Sequence, residues 1–235
     1  MTALEEPRAP SQPSSLGGGA EQPPPATPTY ENLFPTIRVG ERFTIPAANG
    51  AESETSILHV AVVYKKPRNI YFSNGYDPGN LRPPACVSND CIRGSVRAQL
   101  KTIDGTDHHV FGECAVCHFN QWKSAADGKG KACQNRMDLF LSISERSEGG
   151  VESFSEPCRL SIPPNSVPGF DVYFQRLVET GTAYFSVIVC ISLRKEDGRM
   201  VIRPFGAQML SLEFAQITDD LHQRTKHRVL DLIAG

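Results

Sequence analysis

The chain has 235 residues, 40% of them hydrophobic, and 24 Lys plus Arg against 26 Asp plus Glu, giving a formal net charge of −2. That is enough for one sizeable core with a small appended module, while no apolar run approaches the ~20 residues needed to cross a bilayer. No basic-then-apolar leader opens the chain, so no secretory signal is expected. Seven cysteines, five of them clustered, suggest a reducing, cytoplasmic setting rather than a disulfide framework.

Residues 1–32 are rich in Pro, Gly, Ser and Ala, with Gly17-Gly18-Gly19 and Pro23-Pro24-Pro25, and are expected to be a disordered tail. Within residues 1–30, Glu5, Glu6 and Glu21 against Arg8 give a net −2, so the remaining 205 residues balance at zero. Residues 33–216 are expected to fold as one β domain. Ile57 to Tyr64 is an apolar, β-branched run that reads as a central strand. Lys65-Lys66-Pro67-Arg68 reads as a basic turn leading to a short strand over 69–73. Residues 75–136 form an inserted, polar, glycine-rich segment.

After that segment Met137, Leu139, Leu141 and Ile143 alternate as in a strand, and Arg159 to Ile162 is another, ended by Pro163-Pro164. Ser166 offers an N-cap and Pro168 a tolerated first-turn residue for a helix to Thr180, with Gly181 as the stop. Val172, Leu177, Val178 and the aromatics there would supply its core face. Ala183–Leu193, Met200–Phe205 and Gln208–Phe214 read as three more strands. Residues 217–235, acids before bases, read as a C-terminal helix. Three strands, a helix, then two or more strands is the succession of an OB-fold. The expected class is therefore mainly β, an OB-like barrel with one central helix, an inserted zinc-ribbon-like module and a C-terminal helix.

The inserted segment carries Cys86, Cys91, Cys114, Cys117 and Cys133. Cys114-Ala115-Val116-Cys117 has the spacing of a zinc knuckle, whose turn aims both sulfurs at one ion. A structural Zn2+ is expected, because so polar a segment has little core of its own. Cys114, Cys117 and Cys133 are three candidate ligands, and the fourth is Cys86 or Cys91. His118 is a reserve.

Several stretches together resemble a group of phage-encoded proteins associated with single-stranded DNA binding. They are Tyr76-Asp77-Pro78, Cys86 with Ser88-Asn89-Asp90, the knuckle, Asn120 to Ser124, Gly128 to Cys133 and Leu160 to Ser166. The strand-like Tyr184 to Leu193 fits the same pattern, and the likeness covers roughly residues 55–215. It implies one ligand before the knuckle and a glycine where Cys91 stands, hence Cys86 as ligand and Cys91 as the departure. Single-strand-binding proteins of large tailed phages are similar in placing a zinc subdomain inside an OB-fold.

Between Ala61 and Arg136 eleven Lys plus Arg face six acids, a difference of +5, or about +3 with a tetrathiolate zinc centre. Tyr64, Tyr71, Phe72, Tyr76, Phe119 and Trp122 are interleaved, and cations with aromatic faces are what hold single strands. Trp122 is equally a candidate core residue of the module. Candidate nucleic-acid contacts are Lys65, Lys66, Arg68, Tyr71, Lys123, Lys129, Lys131 and Arg136.

Gly128-Lys129-Gly130-Lys131 lacks the spacing of a phosphate-binding loop, and Asp107-His108-His109 lacks the further carboxylates of a two-metal site. No catalytic residues are therefore expected. The sequence points to a non-enzymatic, zinc-containing, single-stranded DNA-binding protein acting in phage replication or recombination, in the host cytoplasm. Its partners would be single-stranded DNA and replication or recombination proteins, with no membrane; homo-oligomerisation stays open. The alternative is a zinc-stabilised protein–protein interaction or regulatory protein of a phage, which the near-neutral charge favours.

Overall fold

The computed structural model describes residues 33–47, 50–73, 75, 84–96, 100–101, 107–108, 113–146 and 152–234. The expected tail over residues 1–32 lies outside them. A small antiparallel sheet comes first: β1 (Arg38–Val39), β2 (Phe43–Pro46) and β3 (Glu52–Thr55). The main sheet is built on β4 (Ile57–Tyr71), whose end pairs with β5 (Cys86–Ser88), and β5 pairs in turn with β6 (Ser95–Val96). Next, β7 (Leu100–Lys101) pairs with β8 (Asp107–His108), apart from the main sheet. The main sheet continues with β9 (Cys133–Arg146), β10 (Glu152–Phe154) and β11 (Cys158–Ile162). Helix α1 (Val167–Glu179) leads to β12 (Val187–Glu196), β13 (Arg199–Met209) and helix α2 (Leu212–Ala234). Across the sheet the order is β11-β9-β4-β12-β13, all antiparallel. None of the described helices is long and apolar enough to cross a membrane.

β4 corrects the expected basic turn. The strand does not stop at Tyr64 but carries Lys65 to Arg68 onward, paired with Leu139 to Arg136 of β9. Pro67 is tolerated because β12 reaches only Ile57–Ala61 and β5 only Asn69–Tyr71, so β4 has an edge there with no described strand partner. The charged residues are tolerated because Asp138, fully buried on β9, faces Arg68 at 3.4 Å and Arg159 of β11 at 3.7 Å. One carboxylate thus ties three strands.

Each face of the sheet has its own core. Alternate residues Leu58, Val60, Val62, Leu139, Leu141, Leu160, Val189 and Ile191 point to one side, where α1 adds Phe170, Phe174 and Leu177. Val172 and Val178, expected on that face, are 50% and 75% exposed instead. On the other side Val63, Phe140 and Phe34 meet Leu221 and Val229 of α2. A register shift between Val62 and Tyr64 leaves the Val63 carbonyl to accept a hydrogen bond from His222 Nδ1 of α2.

The sheet does not close into the expected barrel. Among the described residues β11 and β13 are not paired, and each outer edge is covered otherwise. Ile37 N–H donates to the Arg159 carbonyl and Arg159 N–H to the Pro35 carbonyl, at 2.8 and 2.7 Å, so the chain entry lines β11. On β13, Ile202 N–H donates to Ser166 Oγ at 2.9 Å and Asn165 Nδ2 to the Met200 carbonyl at 3.2 Å. Ser166 therefore stands at the start of α1 without a side-chain capping bond, its hydroxyl committed to the sheet edge. The expected strand over Gln208–Phe214 is likewise corrected: β13 runs unbroken to Met209, and Leu212 already opens α2.

Asp138→Ala should cost about 3–5 kcal/mol, because it removes the buried carboxylate that faces both the Arg68 and Arg159 guanidiniums. Urea denaturation should show the midpoint falling at unchanged slope.

Candidate metal centre

The site begins where β4 ends. Tyr71 is paired directly with Cys86 of β5 on one side and with Cys133 of β9 on the other. Directly paired residues of antiparallel strands project from one face, so both cysteines flank the Tyr71 ring. The knuckle docks onto that face. Phe119, in the 3-10 turn His118–Asn120, is 8% exposed and stacks on Tyr71 with centroids 4.1 Å apart and planes at 20°.

Backbone and amide hydrogen bonds hold the knuckle in place. Cys114 N–H donates to the Ile92 carbonyl at 2.7 Å, and Asn120 Nδ2 to the Cys114 carbonyl at 2.8 Å. Gln121 Nε2 donates to the Ala115 carbonyl at 2.8 Å. Asn135 Nδ2 of β9 bridges Asn69 Oδ1 of β4, at 2.6 Å, and Asn120 Oδ1, at 3.1 Å. Polar side chains do here what aliphatic ones do in the main core.

Cys86, Cys114, Cys117 and Cys133 all line one cavity of about 20 Å³, enough for about one water-sized body. Cys91 does not line it; its backbone is left-handed, with φ +60°. Gly94 does, and a Cβ there would lie 2.7 Å from Cys86 Sγ, so the sulfur rests against a bare Cα. Burial, reinforced by the neighbouring thiols, pushes the Cys86 thiol up to about 11 and the Cys133 thiol up to about 12. A bound divalent cation would reverse that balance for Cys86 and Cys133. Among the described residues no three His, Cys, Asp or Glu side chains stand close enough together to form a coordination shell as placed. An ion would have to draw the sulfurs inward. The donor set fits zinc in kind and number: four sulfurs, supplied by two strands and a turn.

The candidate nucleic-acid residues fall into two groups. Lys66 and Arg68 are turned inward, 7% and 3% exposed, and Arg68 belongs to the Asp138 ion cluster, which takes it off the surface. Burial lowers the Lys66 ammonium, against the opposing pull of Asp90 and Cys91. Lys65 is half-buried with Nζ 4.9 Å from the Phe174 ring centroid, and Arg136 is half-buried with Nε donating to Gln134. Tyr71 is engaged by Phe119. Lys123, Lys129 and Lys131 are exposed, all on the loop between the 3-10 turn and β9. Asp107 and His108 form β8, and His109 lies outside the described residues. His118 is exposed, edge-on to Phe119, and does not line the cavity.

Two contacts were not legible from the sequence. Arg159 sits beside Asp138, and Cys190 Sγ lies 3.4 Å from His59 Nδ1 across the β12–β4 pair. Cys190 is thus half-buried beside an imidazole rather than a plain core thiol. Residues 131 apart meet only through the sheet register. No protein-family model matches the chain, and no curated protein or solved structure matches it either.

Gly94→Ala should force the Cys86 sulfur out of position and destabilise the module by about 1–3 kcal/mol, the usual cost of overpacking. Limited proteolysis should then cut faster within residues 84–136. Gly130→Ala, where an added Cβ meets nothing within 4 Å, should leave the cleavage rate unchanged.

Proposed function

We propose that the protein is a non-enzymatic, zinc-containing, single-stranded nucleic-acid-binding protein of phage type, acting on DNA during replication or recombination. One observation carries this reading: four thiols of matching chemistry line one small cavity, in the same module whose loop exposes Lys123, Lys129 and Lys131. Zinc held by Cys86, Cys114, Cys117 and Cys133 would cross-link β5, β9 and the knuckle, and its role is structural. The strand order supports an OB-like ancestry for the sheet. Numbered along the main sheet, β11-β9-β4-β12-β13 is third-second-first-fourth-fifth, the order of an OB barrel opened between its third and fifth strands. The likeness of the cysteine segment to phage single-strand binders points the same way.

The second reading, a zinc-stabilised protein–protein interaction or regulatory protein, is favoured by the exposed Val172 and Val178 on α1.

Purified protein should hold one zinc per chain by elemental analysis, and Cys117→Ser should lose it. Cys91→Ser should keep it; loss of zinc from that variant with retention by Cys86→Ser would overturn the ligand set. Binding to a labelled mixed-sequence single strand should weaken with salt, with a log–log slope of about −0.7 per neutralised phosphate. Lys129→Ala should flatten that slope by about one such increment. Absence of any binding at low salt would leave the interaction protein as the surviving account.

A further inference from the structure

Trp122 is the one tryptophan of the chain, and it is 69% exposed. The module does not use it as core, since Phe119 and Tyr71 fill that place. Yet its backbone is held firmly on both sides. Gln121 N–H donates to the His118 carbonyl, and the Gln121 amide to the Ala115 carbonyl. Ser124 Oγ donates to the Phe119 carbonyl and accepts from Ala132 N–H, both at 2.9 Å. Between them Lys123 is left-handed, φ +69°, a conformation non-glycine residues adopt where the surroundings impose it. A large apolar ring is thus held outward on a short, pinned segment.

The loop that carries the ring is rich in cations, with Lys123, Lys129 and Lys131 all exposed. Ala125 N–H donates to the Gly130 carbonyl, and Ala132 N–H to Ser124 Oγ, so the outgoing limb at 123–125 lies beside the return limb at 130–132. Lys123 and Lys131 thus sit on the two adjacent limbs, Lys131 Nζ lies 3.4 Å from Asn120 Oδ1, and Lys129 stands at the turn between the limbs. Asp127 is the acid of this loop, and its Oδ1 accepts from Lys129 N–H.

From this arrangement we infer that Trp122 is the platform on which an unpaired base stacks, while Lys123, Lys129 and Lys131 hold the phosphates on either side. The inference rests on the nucleic-acid reading above and moves its aromatic contact from Tyr71, whose ring is engaged by Phe119, to the outer loop of the knuckle. An indole face accepts any base, so sequence preference is weak; it needs a base whose face is exposed, so single strands are preferred to duplex. Three exposed lysines on the loop that carries the ring suit an anionic chain and disfavour an apolar protein groove.

With only one tryptophan, intrinsic emission reports this position alone. Zinc-loaded full-length protein is titrated at low salt with an unlabelled dT oligonucleotide and with a blunt duplex, while anisotropy of a labelled dT strand reports binding separately. The expected result is saturable quenching by the single strand and little by the duplex. Trp122→Ala should weaken single-strand binding by about 5- to 150-fold, the equivalent of one base stack, at unchanged salt slope, and Trp122→Phe should recover most of it. Zinc content and melting temperature of each variant establish that it is folded. Binding by anisotropy without any change in emission, or equal quenching by duplex, overturns the inference while leaving nucleic-acid binding in place. No binding by either readout sinks both.

Discussion

A single buried carboxylate lets the two halves of this molecule share their strands. Asp138 is wholly enclosed beside Arg68 and Arg159, one on β4 and one on β11. Without it, the guanidinium that β4 carries into the interior would lose the carboxylate facing it, at a cost of several kcal/mol. With it, β4 and β9 run unbroken from the aliphatic core to the cysteines. The register that seats Cys86 and Cys133 on either side of Tyr71 is set three residues beyond Arg68. Core and candidate metal centre are thus two ends of one pair of strands.

The open sheet meets its own hazard by other means. Unpaired edges invite association with further strands, and natural proteins cover or interrupt them. Here the chain entry at Pro35–Ile37 covers β11, while Asn165 and Ser166 occupy the edge of β13 at Met200 and Ile202. Those two side chains also place the start of α1, so the helix and the sheet edge are positioned by the same hydrogen bonds. Phe170, Phe174 and Leu177 then bury against the main core.

The cysteine module has few aliphatic groups, and its order comes from specific contacts instead. An asparagine relay, Asn69–Asn135–Asn120, and one stacked aromatic pair hold the knuckle to the sheet. Such a module gains most from a cross-link at its centre, and the four thiols stand there. Its outer loop, pinned at Gln121 and Ser124, places cations and an indole outward, while Lys66 and Arg68, equally basic in the sequence, are spent inside.

The sequence by itself determined the features that depend on local chemistry. The apolar run from Ile57, the alternation from Met137 to Ile143, the helix ended by Gly181 and the C-terminal helix all follow from periodicity and stop signals, which act within a few residues. The grouping of Cys114 with Cys117 follows from spacing alone. What only the tertiary structure decided depends on partners far away in the chain. Lys65 to Arg68 reads as a turn because four polar or ring-constrained residues lack local reasons to extend; Asp138, 70 residues from Arg68, supplies the reason. Ser166 reads as a helix cap because its neighbours suggest one, but the backbone of Ile202 claims its hydroxyl. Gln208 to Phe214 reads as one strand because apolar Met209, Leu210, Leu212 and Phe214 are interleaved with polar residues, whereas Leu212 starts a helix whose later turns find Val63 and Phe140 to cover. Which lysines reach solvent was undecidable from composition, because charge says nothing about which strand face a residue occupies. That is set by register, and register is a property of pairs of strands rather than of either alone.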